Sequence, residues 1–259
     1  MKSLPLFGIF IFIMTLTAST QTPLRKVHNE AFITAEKLTY RVHYGFVDAG
    51  EATLEVAPEM KMMGNRNCFR VVGTGRSTGA FDWFFKVRDH YESYIDAEAI
   101  IPWLFIRKIE EGGYRKSQNV SFNQVKNIAT SEKKTIKTPN HVQDLISAFY
   151  YARTLDFANA APGDTFLIET YLDDEVFPMA IKYIGKQTIK TKLGKFRCIV
   201  FKPYLAEGRV FKEQEGMTIW ITDDKNRIPI RAEAEVVVGS IKMDLTGYSG
   251  VANPIALVK

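Results

Sequence analysis

Trp103-Leu-Phe-Ile-Arg-Lys-Ile-Glu-Glu-Gly112-Gly113-Tyr-Arg-Lys-Ser-Gln-Asn-Val-Ser-Phe122 is the stretch that decides the fold. Residues 103–109 and 114–122 are rich in β-branched and aromatic side chains, and Glu111-Gly112-Gly113 between them gives the backbone freedom of a tight reversal. The stretch is therefore a β-hairpin. Working outward, the same signal recurs at 38–47, 51–56, 68–74 and 84–96 before it, and at 165–172, 176–184, 188–192, 196–204, 217–222, 230–238 and 241–248 after it. Segments at hairpin spacing predict a mainly β chain whose meandering antiparallel sheet is curved or forms a partly open barrel. A doubly wound parallel sheet would need a helix between successive strands, and the pattern supplies one helix in all.

That helix is expected at about 141–157. Asn140 and Gln143 give a capping signal after Pro139, and Val142, Leu145, Ile146, Phe149 and Ala152 recur at helical spacing. Arg153 falls within this apolar face, beside a stripe of Asp144, Ser147 and Tyr151. An arginine there snorkels, pairs with a buried carboxylate or awaits an anionic ligand. The halves flanking the helix, about 38–125 and 165–250, resemble each other. Cys68, Tyr94-Ile95-Asp96, Pro102, a glycine hairpin and Phe122 recur in the same order as Cys198, Trp220-Ile221-Thr222, Pro229, Gly239-Ser240 and Tyr248. Two similar β units joined by the helix, with the helix on the concave face of the sheet, are the expected plan.

Of the 259 residues, 46% are hydrophobic and 24% charged, the profile of a globular chain. The formal charge of +5 is mild and dispersed, which argues against nucleic acid as a partner. Met1 and Lys2 precede an uncharged apolar run over 4–16 and the small residues Thr17-Ala18-Ser19-Thr20. This is the order of a secretory signal peptide over 1–20. It leaves 21–259 as a single β-rich domain in which no later run approaches the roughly 20 apolar residues of a membrane helix. Export places the chain in the periplasm or in association with the outer membrane. Cys68 and Cys198, 130 residues apart, either form one disulfide in an oxidising compartment or stand as two separate buried thiols in strands, the reading their apolar surroundings favour. The four histidines have no ligand spacing with either, so no metal site is expected.

Asp144-Leu-Ile-Ser-Ala-Phe-Tyr-Tyr-Ala-Arg153 with Gly163-Asp164 and Tyr171 is similar to the central signature of an exported bacterial family, domain of unknown function 3108. Gly194-Lys-Phe-Arg-Cys198, Met217-Thr-Ile-Trp-Ile-Thr-Asp-Asp224, Arg227-Ile-Pro-Ile230 and Val238-Gly-Ser-Ile241 resemble its carboxy-terminal signature, and Val87-Arg-Asp-His-Tyr-Glu-Ser-Tyr-Ile-Asp96 fits as well. The resemblance spans roughly 38–248 and implies an exported, β-rich protein. It carries over no catalytic residues and no cofactor.

Arg88, Asp89, His90, Glu92, Tyr94 and Asp96 form the densest polar cluster; in a strand Asp89 lies on the face opposite the other five. A row of this kind is most often the solvated side of a sheet. Serine-nucleophile, zinc and phosphate-loop motifs are absent from the sequence. Gly73-Thr74-Gly75 suggests a bulge or bend, and Asp223-Asp224-Lys225-Asn226 a plain turn. Two aromatic patches, Phe81 with 83–85 and Ile100-Ile101 with 103–106, read as core or as the wall of an apolar groove. Two functions follow. The preferred one is a non-enzymatic carrier of an apolar or amphiphilic ligand, a lipid or a glycan, with Trp83, Arg88, Trp103, Asp144, Arg153 and Trp220 as candidate contacts. The alternative is a glycan-active enzyme, which needs two of Asp89, Glu92 and Asp144 about 5–10 Å apart in a cleft.

Overall fold

The computed structural model describes residues 24–205, 216–236 and 239–258, so the leader read in 1–20 lies outside them. The chain runs β1 (Lys37–Tyr44), β2 (Val47–Val56), β3 (Lys61–Met63), β4 (Arg66–Ser77), α1 (Phe81–Phe84), β5 (Arg88–Asp96), β6 (Pro102–Glu111), β7 (Tyr114–Asn123), β8 (Ile128–Ser131) and β9 (Thr135–Lys137). It continues as α2 (Leu145–Ala152), β10 (Thr165–Leu172), β11 (Glu175–Thr191), β12 (Gly194–Leu205), β13 (Met217–Thr222), β14 (Pro229–Glu235), β15 (Ser240–Ser249) and β16 (Leu257–Val258). One antiparallel sheet holds all the strands, in the order β10-β11-β12-β13-β14-β15-β1-β2-β4-β5-β6-β7-β8-β9, with β3 beside β4 and β16 beside β12. The first half of the chain thus extends from β1 to one edge, and the second half returns from the other edge to meet β1 at β15.

The two edge strands, β10 and β9, share no ladder among the described residues, so hydrogen bonding does not close the sheet. Side chains cross the gap instead. Phe122 of β7 stacks edge-on against Tyr171 of β10 with centroids 5.5 Å apart, and Gln118 donates to Asp174 at 3.1 Å. Arg107 and Lys116 both pair with Asp173. The expectation of a mainly β, antiparallel, unclosed sheet agrees with this architecture.

The helix differs from its predicted bounds of 141–157. Gln143 bonds β10 in the extended conformation, donating to Glu169 O at 2.8 Å and accepting from Tyr171 N at 2.7 Å, which holds 142–143 out of the helix. The cap is Asp144, whose carboxylate accepts from Ser147 N at 2.8 Å while Ser147 Oγ accepts from Asp144 N at 2.8 Å. The helix stops at Ala152, with Arg153 as its C-cap. Its side chains enter separate packed groups. Phe149 and Tyr150 join Phe32, Phe69 and Ile95; Ala148 joins Ile168, Ile181 and Phe201; Ile146 reaches Phe105, Val120 and Phe122.

A second helix, α1, stands where the pattern suggested the start of a strand at 84. Gly79, at φ +59°, turns the chain out of β4, and Asp82 is bonded by Ser77 and Arg88. Gly73 and Gly75 carry no bulge, because β4 pairs through both without a register shift. The segments expected at 176–184 and 188–192 form one strand, β11 (Glu175–Thr191), with a register shift at Tyr183/Gly185.

Two corners share their local geometry. Ladder shifts at Tyr94/Ile95 and at Trp220/Ile221 each precede a pairing to a proline, Pro102 and Pro229. Asp96 N donates to Ile101 O and Thr222 N to Ile228 O, both at 2.8 Å, and Ile100 and Arg227 both have φ of 48°. Cys68 and Cys198 are free and buried, and burial pushes each thiol up to about 12.

Candidate functional site

Alternation along β5 puts Val87, Asp89, Tyr91 and Ser93 on one face. Ser93 donates to the Asp144 carboxylate at 2.6 Å, fixing that face against the start of α2. The neighbouring strand agrees, since a Cβ on Gly73 would lie 3.3 Å from the Ile146 side chain. Two residues further along the same face the helix no longer covers the sheet. Gly75 and Asp89 there border a cavity of about 520 Å³. Its walls are mostly apolar: Val42 and Ala52 from the sheet, Phe81 and Phe85 from the α1 segment, and Val236 and Ile241 from the β14–β15 end.

The absence of side chains makes much of this space. A Cβ at Gly75 would find nothing closer than Asp89 Cβ at 3.7 Å, so the position opens the floor without backbone strain. Gly112 does the opposite. A Cβ there would fall 2.2 Å from the Phe85 ring, so the glycine lets Phe85 lie over the β6–β7 hairpin and wall the cavity. Asp82 and Arg88 anchor the α1 segment; the guanidinium donates to both carboxylate oxygens, at 2.6 and 2.9 Å. That pairing, with the Ser77 hydroxyl, holds the Asp82 carboxyl down at about 2. Of the aromatic side chains in this segment, Phe81 and Phe85 line the cavity and are 41% and 46% exposed. Part-exposed aromatic side chains lining a cavity are unusual on a solvated surface.

Asp89 is the chemically distinctive member. Its Oδ1 is buried without a hydrogen-bond partner among the described residues. Burial first, and then the negative charge of Glu111 beside it, pushes the carboxyl up to about 6.

The residues singled out from the sequence are dispersed. Trp83 and Arg88 lie in and just after the α1 segment, and neither lines the cavity. Trp103, at the far end of β6, donates Nε1 to Asp96 at 2.9 Å, and Asp96 also receives Arg66 at 2.6 and 2.7 Å. Trp220 donates to Gln187 at 2.7 Å. Asp144 caps α2. Arg153 is 2% exposed and grips Glu36 with two bonds of 2.6 and 2.7 Å, while its remaining donors reach Asn226 O and Ala31 O at 3.0 Å. Asp89, Glu92 and Asp144 do not converge either. Glu92 faces away from Asp89 and binds Arg70 and His90, each at 2.8 Å, and Asp144 lies fully buried at the helix cap. The aromatic patches divide: Ile100, Ile101 and Phe105 are core, whereas Phe81 and Phe85 are part-exposed and line the cavity. Val42, Gly75, Phe85 and Ile241 were missed as a group; the available signal was the pair Gly73 and Gly75 on one face of a strand. Among the described residues no group of side chains is arranged to hold a metal ion, and no helix is long and apolar enough to cross a membrane.

Fold and cavity together define a β-barrel-like protein whose antiparallel sheet stays open and borders an apolar space. The chain belongs to the family described as Protein of unknown function (DUF3108), whose model matches residues 39–246. A β-barrel-like protein of the domain of unknown function DUF1849 from Brucella abortus has a similar crystal structure, with a TM-score of 0.55 at 10% identity over 85% of this chain and 98% of that one. At that identity the likeness is one of fold alone. A protein described as a candidate lipoprotein from Parabacteroides distasonis aligns at TM-score 0.33 and 14% identity, over 88% of this chain and 100% of that one. One described as a candidate exported protein with a YmcC-like fold from Bacteroides fragilis aligns at 0.34 and 11%, over 87% and 100%. Similarities that low carry no argument about this chain. None of the curated proteins matches it in sequence.

Proposed function

We propose that the protein is an exported, non-enzymatic binding or carrier module that holds an apolar or amphiphilic ligand in the cavity between Val42, Gly75, Phe85 and Ile241. The observation that carries this reading is the apolar space of about 520 Å³, in the usual size range of small-molecule sites, with the part-exposed rings of Phe81 and Phe85 among its walls. Export rests on the leader-like order of residues 1–20, with the periplasm or the outer-membrane surface as destination. The domain is a single one made of two similar β units, with α2 on the concave face. The matched corners at Pro102 and Pro229 support the two units, and the entry of α2 into packed groups from both halves supports its placement.

Among the sequence-derived contacts, Trp83 and Arg88 adjoin this site. Trp83 lies in the α1 segment beside the lining residues Phe81 and Phe85, and Arg88 holds that segment through Asp82. The test is Gly75→Leu, which fills the floor without a backbone clash. Titration with the neutral fluorophore N-phenyl-1-naphthylamine should show saturable binding to the wild type and a loss of at least about tenfold in affinity in the variant, matching one buried leucine-sized volume. Equal binding by both proteins at unchanged melting temperature rules out this cavity.

A further inference from the structure

Resting on that reading, we infer that Asp89 is the polar anchor of the cavity and that the ligand it selects is an amphiphile with a cationic amine head, in preference to an anionic one. The other polar groups along the wall are already engaged. Glu51 and Arg76 bond each other at 2.7 Å at the outer margin, and Ser77 Oγ donates to Asp82 and accepts from Val87 N at 2.8 Å. Asp89 Oδ1 alone is left buried without a donor among these side chains. A buried acceptor left unmet is destabilising, and more so when ionised, so a donor brought in by the ligand restores what folding left unmade.

The charge around Asp89 sets the sign of that donor. Glu111 lies against it and adds a second carboxyl. Most neighbouring cations are paired with other groups: Arg88 with Asp82, Lys116 with Asp173, Lys86 with Glu110 at 3.7 Å, and Arg107 through one terminal nitrogen with Gln118 and Asp173. A carboxylate or phosphate head entering here meets the carboxyls of Asp89 and Glu111. An ammonium meets two carboxyls at the end of an apolar wall, and its hydrogen bond to a carboxylate is of the stronger, charge-assisted kind.

The experiment compares dodecylamine, dodecanol and dodecanoate, below their micelle concentrations, as competitors for N-phenyl-1-naphthylamine on the full protein at neutral pH. The expected result is an amine affinity at least about tenfold above that of dodecanoate. Asp89→Asn should cancel most of that preference while leaving dodecanol within about twofold, because the amide keeps the acceptor and removes the charge. Glu111→Gln should weaken the amine in the same direction and by less, and it serves as the second variant if Asp89→Asn does not fold. Dodecanoate binding as tightly as dodecylamine, or an amine affinity unmoved by both variants, overturns the anchor while dodecanol binding preserves the cavity. Failure of the wild type to bind dodecanol or the fluorophore overturns both.

Discussion

Arg153 shows how much one buried charge depends on one partner. All of the side chain except 2% is removed from solvent, and Glu36 meets it through two parallel bonds of 2.6 and 2.7 Å while backbone oxygens take further donors. Its rings of contact are aromatic, with Tyr150 and Phe32 centroids 5.1 and 5.5 Å from the guanidinium carbon. Removing the arginine strands a carboxylate in that setting, so Arg153→Ala should lower stability by about 3–5 kcal/mol in denaturant unfolding. Removing both charges with Arg153→Met and Glu36→Leu together should recover most of it, since neither charge is then left uncompensated. If the single variant unfolds like the wild type, the pair is not structural. An arginine on the apolar face of a predicted helix was legible in the sequence, and pairing with a buried carboxylate was among its readings. The identity of Glu36 was not, because the partner lies far away in the chain before β1.

Helix α2 joins the halves of the chain, and its cap carries a pH dependence of its own. Burial pushes the Asp144 carboxyl up to about 6 from its ordinary 3.8, against the pull of bonds from Ser93 and Ser147. Between those values the folded protein holds a proton that the unfolded chain has released. Stability from this group is therefore present at low pH and is lost as pH rises from about 4 through about 6. Asp144→Asn keeps a cap acceptor without the ionisation. The variant should lose less stability than the wild type between pH 4 and pH 7, by on the order of 2 kcal/mol in thermal or denaturant melts. Parallel pH profiles for the two proteins would show that the cap does not titrate in that window. The helix was visible in the sequence through its 3.6-residue period, but its bounds were not. Val142 and Gln143 fit the helical pattern, yet a pairing with β10, formed only in the tertiary fold, holds them extended. The strands were easier because a half-buried sheet imposes period two locally; α1 was lost because its aromatic run mimics a strand.

At the scale of the whole molecule, the sheet folds its chain halves outward from the β1–β15 ladder and leaves its edges to be joined by Tyr171, Asp173 and Asp174. That arrangement leaves the interior divided. Helix α2 covers the face of the sheet at Gly73, and the space beyond it at Gly75 stays open between β1, β2, β4 and the α1 segment. Antiparallel sheet and family signatures could be read in the linear sequence. The cavity could not, because Val42, Gly75, Phe85 and Ile241 converge only through strand order and none of them carries a chemical motif. The proposal of an exported carrier stands on that convergence. Native mass spectrometry of the protein purified from the periplasm, followed by organic extraction, tests it most directly. A stoichiometric adduct that extracts as an amphiphile, and that Gly75→Leu abolishes, is the predicted result; a clean ligand-free mass for the wild-type protein would contradict it.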